Sequence, residues 1–163
     1  MVLISNTGPL IALAKIGMLH LLPKLGWEAI LVPPAVKREL WAKSGPDSSS
    51  IDSALESFLK VKEPGQTNQQ VESAASRLDE GEKQVVCLGA ASREATLLLD
   101  DKAGRTVAKS LGLGVTGTVG LLLIAKRRGL IQKVLPLLEE MRARGYWISD
   151  AVLDTAAQLS AEL

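Results

Sequence analysis

Aromatic residues make up only 3% of the 163-residue chain. That scarcity argues against stacking on unpaired bases as the main binding mode, and it leaves the core to Leu, Val, Ile and Ala. A single histidine, His20, excludes the familiar multi-histidine zinc sites. The lone cysteine, Cys87, excludes an intrachain disulfide and a CxxC centre. It lies among Val85, Val86 and Leu88, the setting of a buried, inert thiol. The formal net charge is +1, so no global basic field advertises a nucleic-acid partner, and only a local patch is left open. No uninterrupted apolar run reaches the ~20 residues that span a bilayer. Asn6, Gly8 and Pro9 break the N-terminus early, so no signal peptide is expected. The expectation is a cytoplasmic protein without a membrane segment.

Apolar residues are 47% of the chain, enough for the core of one domain over residues 1–163. Leu97–Leu99 is a short apolar run, the pattern of a central strand buried on both faces. Val2–Ile4 and Ala29–Val32 read the same way. Leu113–Val115 reads as a further strand, and Leu59–Val61 as an edge strand. Helical patterns lie between them. One follows Asn6 or Thr7 as cap, with Pro9 in its first turn and Gly17 at its end. A short helix is expected over Met18–Leu25, and others over Ala35–Lys43, Ile51–Phe58 and Gln69–Leu78. Asp79 opens the next. The C-terminal third predicts helices over Lys102–Ser110, Val119–Arg128 (capped by Thr118), Ile131–Arg144 and Asp150–Leu159 (capped by Ser149). Loops are expected over Ser44–Ser50 and Glu63–Asn68. Strands alternating with helices predict an α/β fold: a three-layer α/β/α sandwich around a parallel sheet.

The carboxyl ends of such strands are where open α/β sheets place their chemistry. Oxygen ligands fall there or at helix starts: Asn6, Glu39, Glu82 and the adjacent pair Asp100 and Asp101. Converging carboxylates repel one another. A divalent cation removes that repulsion, and an all-oxygen donor set favours Mg2+ or Mn2+ over zinc. Each residue also has a structural explanation. Asp100 or Asp101 can cap the following helix, and Asp101 can pair with Arg105. Asp79 and Glu82 have capping-box spacing. Glu39 sits beside Lys37 and Arg38, and Asn6 suits a cap. The combination, not any one member, points to a metal site. Thr116–Thr118 can direct hydroxyls and amides at a phosphate or can be a plain turn. Lys126, Arg127, Arg128 and Lys133 form a local basic cluster, expected as a solvated helix end. Trp27, Trp41 and Trp147 are expected as packing residues.

In their order and spacing, these segments resemble the PIN-domain superfamily: Val2-Leu3-Ile4-Ser5-Asn6-Thr7-Gly8-Pro9-Leu10-Ile11, Pro34-Ala35-Val36 with Glu39-Leu40, Gly81-Glu82, Leu98-Leu99-Asp100-Asp101, Val115 to Leu122, Ala125-Lys126 and Gly129-Leu130-Ile131. The likeness is to a prokaryotic branch related to the VapC-type toxin ribonucleases. The resemblance implies an acidic pocket that binds Mg2+ or Mn2+ and hydrolyses single-stranded RNA. It matches Glu39, Glu82 and Asp100 or Asp101 to the acidic positions, which with Asn6 are the candidates for metal binding and catalysis, and Thr7 and Thr118 to hydroxyl support and substrate contact. It also implies a toxin held by a small antitoxin. A homodimer is a further expectation, its face drawn from the apolar helices of Leu10–Leu22 and Val119–Leu138. Asn6 departs from the aspartate usual at the end of the first strand and brings no charge. The competing reading is therefore a weakened or inactive module that binds RNA or protein. A receiver-like phosphoacceptor is a third reading, disfavoured because the acid pair does not close the first strand.

Overall fold

The structure, a computed structural model, describes residues 1–43 and 45–163. Five strands form one sheet in the order β3-β2-β1-β4-β5, and every pairing is parallel. They are β1 (Val2–Ser5), β2 (Ile30–Val32), β3 (Leu59–Val61), β4 (Ala95–Leu98) and β5 (Gly114–Thr116). Helices flank this sheet, giving the expected α/β sandwich. Leu59–Val61 lies at the edge, as read from sequence. The order also sets aside the receiver-like reading, whose second strand is outermost rather than between the first and third.

Leu97, Leu98 and Leu99 are all 0% exposed, so the apolar run is buried on both faces. Leu99 stands beyond the end of β4 but still donates its N–H to the Thr116 carbonyl at 2.9 Å. Strand order reverses around β1: β2 and β3 lie to one side, β4 and β5 to the other. Ser5 is level with Leu98 and Leu98 with Thr116, so three chains leave the sheet together between their carboxyl ends. Such a reversal opens a crevice. Asn6, Leu99 and Gly117 are the first residues beyond these strand ends, and Asp100 follows Leu99.

The helices are α1 (Thr7–Lys15), α2 (Pro34–Lys43), α3 (Ser48–Ser57), α4 (Gln69–Ala75), α5 (Glu80–Ala90), α6 (Lys102–Ser110), α7 (Thr118–Arg127), α8 (Leu135–Ala143) and α9 (Asp150–Ser160). Several expectations need correction. Leu19–Leu25 is a 3-10 helix with Pro23 inside it, and it ends at Gly26 in the left-handed conformation. Gly45–Asp47 is a 3-10 turn and α3 begins at Ser48, within the expected loop; Ser44 lies outside the described residues. Helix α8 starts at Leu135, not Ile131, because Pro136 lacks an N–H and fits only a first turn. The Leu10–Leu22 surface proposed for dimerisation is consumed inside the chain: Leu10, Leu13 and Leu22 are fully buried. Among the described residues no single helix is long and apolar enough to cross a membrane.

Two tryptophans are not packing residues. Trp27 packs against the core, but Trp41 and Trp147 are 58% and 83% exposed. Trp41 carries the Lys37 ammonium 4.5 Å from its ring centroid. The basic cluster is also partly committed, since Lys126 Nζ donates to the Ser160 carbonyl at 2.6 Å and pairs with Glu162 at 2.9 Å.

Candidate metal centre

Asn6 occupies the N-cap position of α1, yet its side chain makes no capping bond. Its amide oxygen is left to the crevice. The Pro33-Pro34 turn after β2 starts α2, and Glu39 stands in the second turn of that helix. The N-terminus of α5 approaches from the same side: Ala35 N–H donates to Gln84 Oε1 at 2.9 Å, tying α2 to α5. The closeness is greatest at Gly81. A β-carbon there would stand 2.6 Å from Glu39 Oε1 and 3.4 Å from Asn6 Oδ1. Glycine is thus what allows the two ligand candidates to meet the helix start.

Glu82 follows. Its backbone N–H donates to Asp79 Oδ1 at 2.8 Å, so Asp79 caps α5 and the capping expectation holds for Asp79. Glu82 is only 7% exposed, and its side chain lies against Gly104 of α6. Burial, then the charges of Asp79, Asp101 and Glu39, push its carboxyl up to about 7. Asp101 caps α6 through a 2.8 Å bond from the Ala103 N–H. It does not pair with Arg105, whose guanidinium instead donates to the Leu99 carbonyl at 2.9 Å.

Asp100 is held by other means. The Thr118 N–H donates to Oδ1 at 2.8 Å and the Thr118 hydroxyl to Oδ2 at 2.5 Å. Thr118 is therefore the first residue of α7 rather than its cap, which is Gly117. The Tyr146 hydroxyl also donates to Asp100 Oδ2. Burial and the adjacent Asp100 raise the Tyr146 phenol above its ordinary range, so it stays a donor.

Asn6, Thr7, Glu39, Glu82, Asp100 and Asp101 line one cleft of about 560 Å3 at the carboxyl edge of the sheet. Thr118 does not line it and acts through Asp100. Tyr146, Trp147, Asp79, Lys43 and Lys102 also line it and were not foreseen as members. Lys43 pairs with Glu39 at 3.6 Å; with the lysine side chain 65% exposed, this pair is weak. The donor set is all oxygen, as a hard divalent cation requires. The Thr7 hydroxyl, buried and without a hydrogen-bond partner, leaves one further oxygen uncommitted. Among the described residues, however, no three carboxylate, histidine or cysteine side chains close to ligating distance. The donor chemistry thus suits a hard divalent cation, with water completing its shell.

A family model described as a PIN domain matches residues 2–162. The chain belongs to the PIN-domain family. No curated protein matches it significantly. Membership accounts for the all-parallel sheet and for the acidic cleft at its edge, and it gives the PIN chain a nuclease-type function with nucleic acid as partner and divalent metal as the usual cofactor of the family.

Proposed function

We propose that this PIN domain, acting as one unit over residues 1–163, is a metal-dependent endoribonuclease that cuts single-stranded RNA with Mg2+ or Mn2+. The further roles that go with the reading are membership of the VapC-related branch and the toxin half of a toxin–antitoxin pair. They also include a small antitoxin partner, a homodimer and a cytoplasmic location. One observation carries the enzymatic core of it: Asn6, Glu39, Glu82, Asp100 and Asp101, from four separate parts of the chain, share one cleft.

Asn6, Glu39, Glu82, Asp100 and Asp101 would hold the cation. When bound, it supplies charge neutralisation at the scissile phosphate and a more acidic attacking water. The chain's own contributions are distinct. Thr118 and Tyr146 fix the Asp100 carboxylate in one orientation. Asp79 and Asp101 cap the helices that carry Glu82 and Lys102. Exposed Lys43 and Lys102 attract the phosphates of the strand.

The test is manganese binding and RNA cleavage by wild type, Asp100→Asn and Glu82→Gln. Both variants should lose metal affinity and cutting; cleavage unchanged in both excludes this site. Asn6 favours a second reading, a weakened module that binds RNA or protein, since its amide adds no charge and, among the described residues, no three carboxylate, histidine or cysteine side chains stand at ligating distance. Asn6→Asp separates them. A gain in manganese affinity and cutting marks a weakened nuclease; retained RNA binding with no gain marks the module.

A further inference from the structure

Trp147 is the most exposed tryptophan of the chain, at 83%, and it stands on the wall of the acidic cleft. Its neighbours turn the other way. The Tyr146 hydroxyl is bonded to Asp100, and its N–H donates to the Met141 carbonyl at 3.0 Å. Ile148 is 5% exposed within the core, and Ser149 caps α9 through a 3.1 Å bond from the Val152 N–H. The segment is thus anchored on both sides of Trp147, and the indole is held out at low entropic cost. The ring therefore presents a flat apolar face to whatever enters the cleft.

We infer that Trp147 is a stacking platform for one unpaired nucleobase of the strand that enters the cleft. The inference rests on the nucleic-acid reading of the site and adds a subsite to it. Three features select a base over a protein side chain. The ring shares the cleft with Lys43 and Lys102, cations suited to the phosphates flanking such a base. It also borders a recess of about 210 Å3 walled by Val119, Leu138 and Val152. Ser149 edges this recess, and because its oxygen accepts from Val152 its proton remains available for a base edge. Apolar walls with a polar edge match a flat heteroaromatic ring. Stacking of this kind tolerates any base, so the platform fixes where the strand sits rather than its sequence.

The experiment measures the affinity of a labelled eight-nucleotide oligoadenylate RNA, without manganese, for wild type, Trp147→Ala and Trp147→Phe. Tryptophan fluorescence and thermal melting are followed in parallel. Wild type should show quenching on binding. Trp147→Ala should lose that quenching and bind about tenfold to a hundredfold more weakly at an unchanged melting temperature. Trp147→Phe should keep most of the affinity. A strand with one abasic position should bind wild type as weakly as the intact strand binds Trp147→Ala, with no further loss when both are combined. Equal affinity of Trp147→Ala and wild type, additive losses, or no binding of RNA by wild type overturns the platform. So does a change in oligomeric state on Trp147→Ala with RNA affinity intact, which assigns the ring to a protein interface. Cleavage with manganese is scored separately. Trp147-dependent binding without cutting removes the nuclease reading and leaves the platform; Glu82-dependent cutting with an unchanged KM in Trp147→Ala does the reverse.

Discussion

Thr118 grips Asp100 with both of its donors, the amide on one carboxylate oxygen at 2.8 Å and the hydroxyl on the other at 2.5 Å. The two residues are 18 positions apart and follow neighbouring parallel strands, β4 and β5. Tyr146 shares the second oxygen. Removing one donor costs on the order of 1 kcal/mol, because Asp100 is exposed and water replaces part of the loss. Thr118→Val should therefore melt about 2–4 °C lower than wild type, and Thr118→Ser close to it. Since Thr118 and Tyr146 act on one atom, Thr118→Val and Tyr146→Phe should be non-additive by about 0.5 kcal/mol or more. Thermal melts of the two single variants and the double variant test this; strict additivity would show that Asp100 is not their common partner.

Gly81 offers a way to disturb the cleft without disturbing the fold. A β-carbon at this position meets the far end of the flexible Glu39 side chain at 2.6 Å, and no backbone. Glu39 can swing away cheaply, and alanine is the better helix former. Gly81→Ala should thus fold with stability within about 0.5 kcal/mol of wild type or above it. The displaced Glu39 should lower manganese affinity about tenfold. Calorimetric metal titration beside a thermal melt separates the two effects. Equal affinity in variant and wild type would remove Glu39 from the site.

The carboxyl of Glu82, raised to about 7 by burial and by Asp79, Asp101 and Glu39, predicts a pH dependence of the metal-free protein. The folded state binds this proton more tightly than the unfolded chain, whose glutamate titrates near 4.5. Between those values the folded state carries more protons, so stability falls as pH rises and the deficit is complete above about 7. Its size is on the order of 2 kcal/mol. Glu82→Gln should therefore be more stable than wild type at pH 8. The gap should close as pH is lowered towards 4.5. Denaturant melts across that range in chelator decide it, and a constant gap would mean that Glu82 does not titrate there.

What could be seen beforehand was local. Apolar runs marked β1, β2 and β4, shorter signals marked the edge strands β3 and β5, and the caps at Asp79, Asp101 and Ser149 follow from residues two or three positions away. Glu82, Asp100 and Asp101 were visible because each follows a strand or opens a helix, whereas Glu39 lies in the second turn of α2 and only the family resemblance singled it out. What escaped depends on contacts distant in sequence. Tyr146 reaches Asp100 across 46 positions, and the only signal was an aromatic pair in front of the Ser149 cap in a chain with few aromatics. Trp147 looked like core because tryptophan is usually buried; its exposure comes from Tyr146 and Ile148 taking the inward places on either side. The late start of α8 was legible in Pro136 and was missed.

Glu162 gives the opposite pH dependence to Glu82. Its side chain is 8% exposed and stands at the start of α8. Val134 and Leu135 donate their N–H groups to it at 2.8 and 2.9 Å, and Lys126 pairs with it at 2.9 Å. Burial alone would raise this carboxyl. The two amides, Lys126 and Ser160 outweigh burial and bring it down to about 2. A helix start presents partial positive charge and unpaired donors, so the contact is suited to an anion. The folded value lies below the unfolded 4.5, so the stabilisation is fully present above 4.5 and is lost as pH falls towards 2. Its worth is on the order of 2 kcal/mol. Glu162→Gln should melt about 4–8 °C lower at pH 7. Acidification below 4.5 should shrink that difference, because wild type then loses the same charge. Melts of both proteins at pH 7 and pH 3 provide the check; an equal difference at the two values would show that the carboxylate charge does not hold the C-terminal helix against α8.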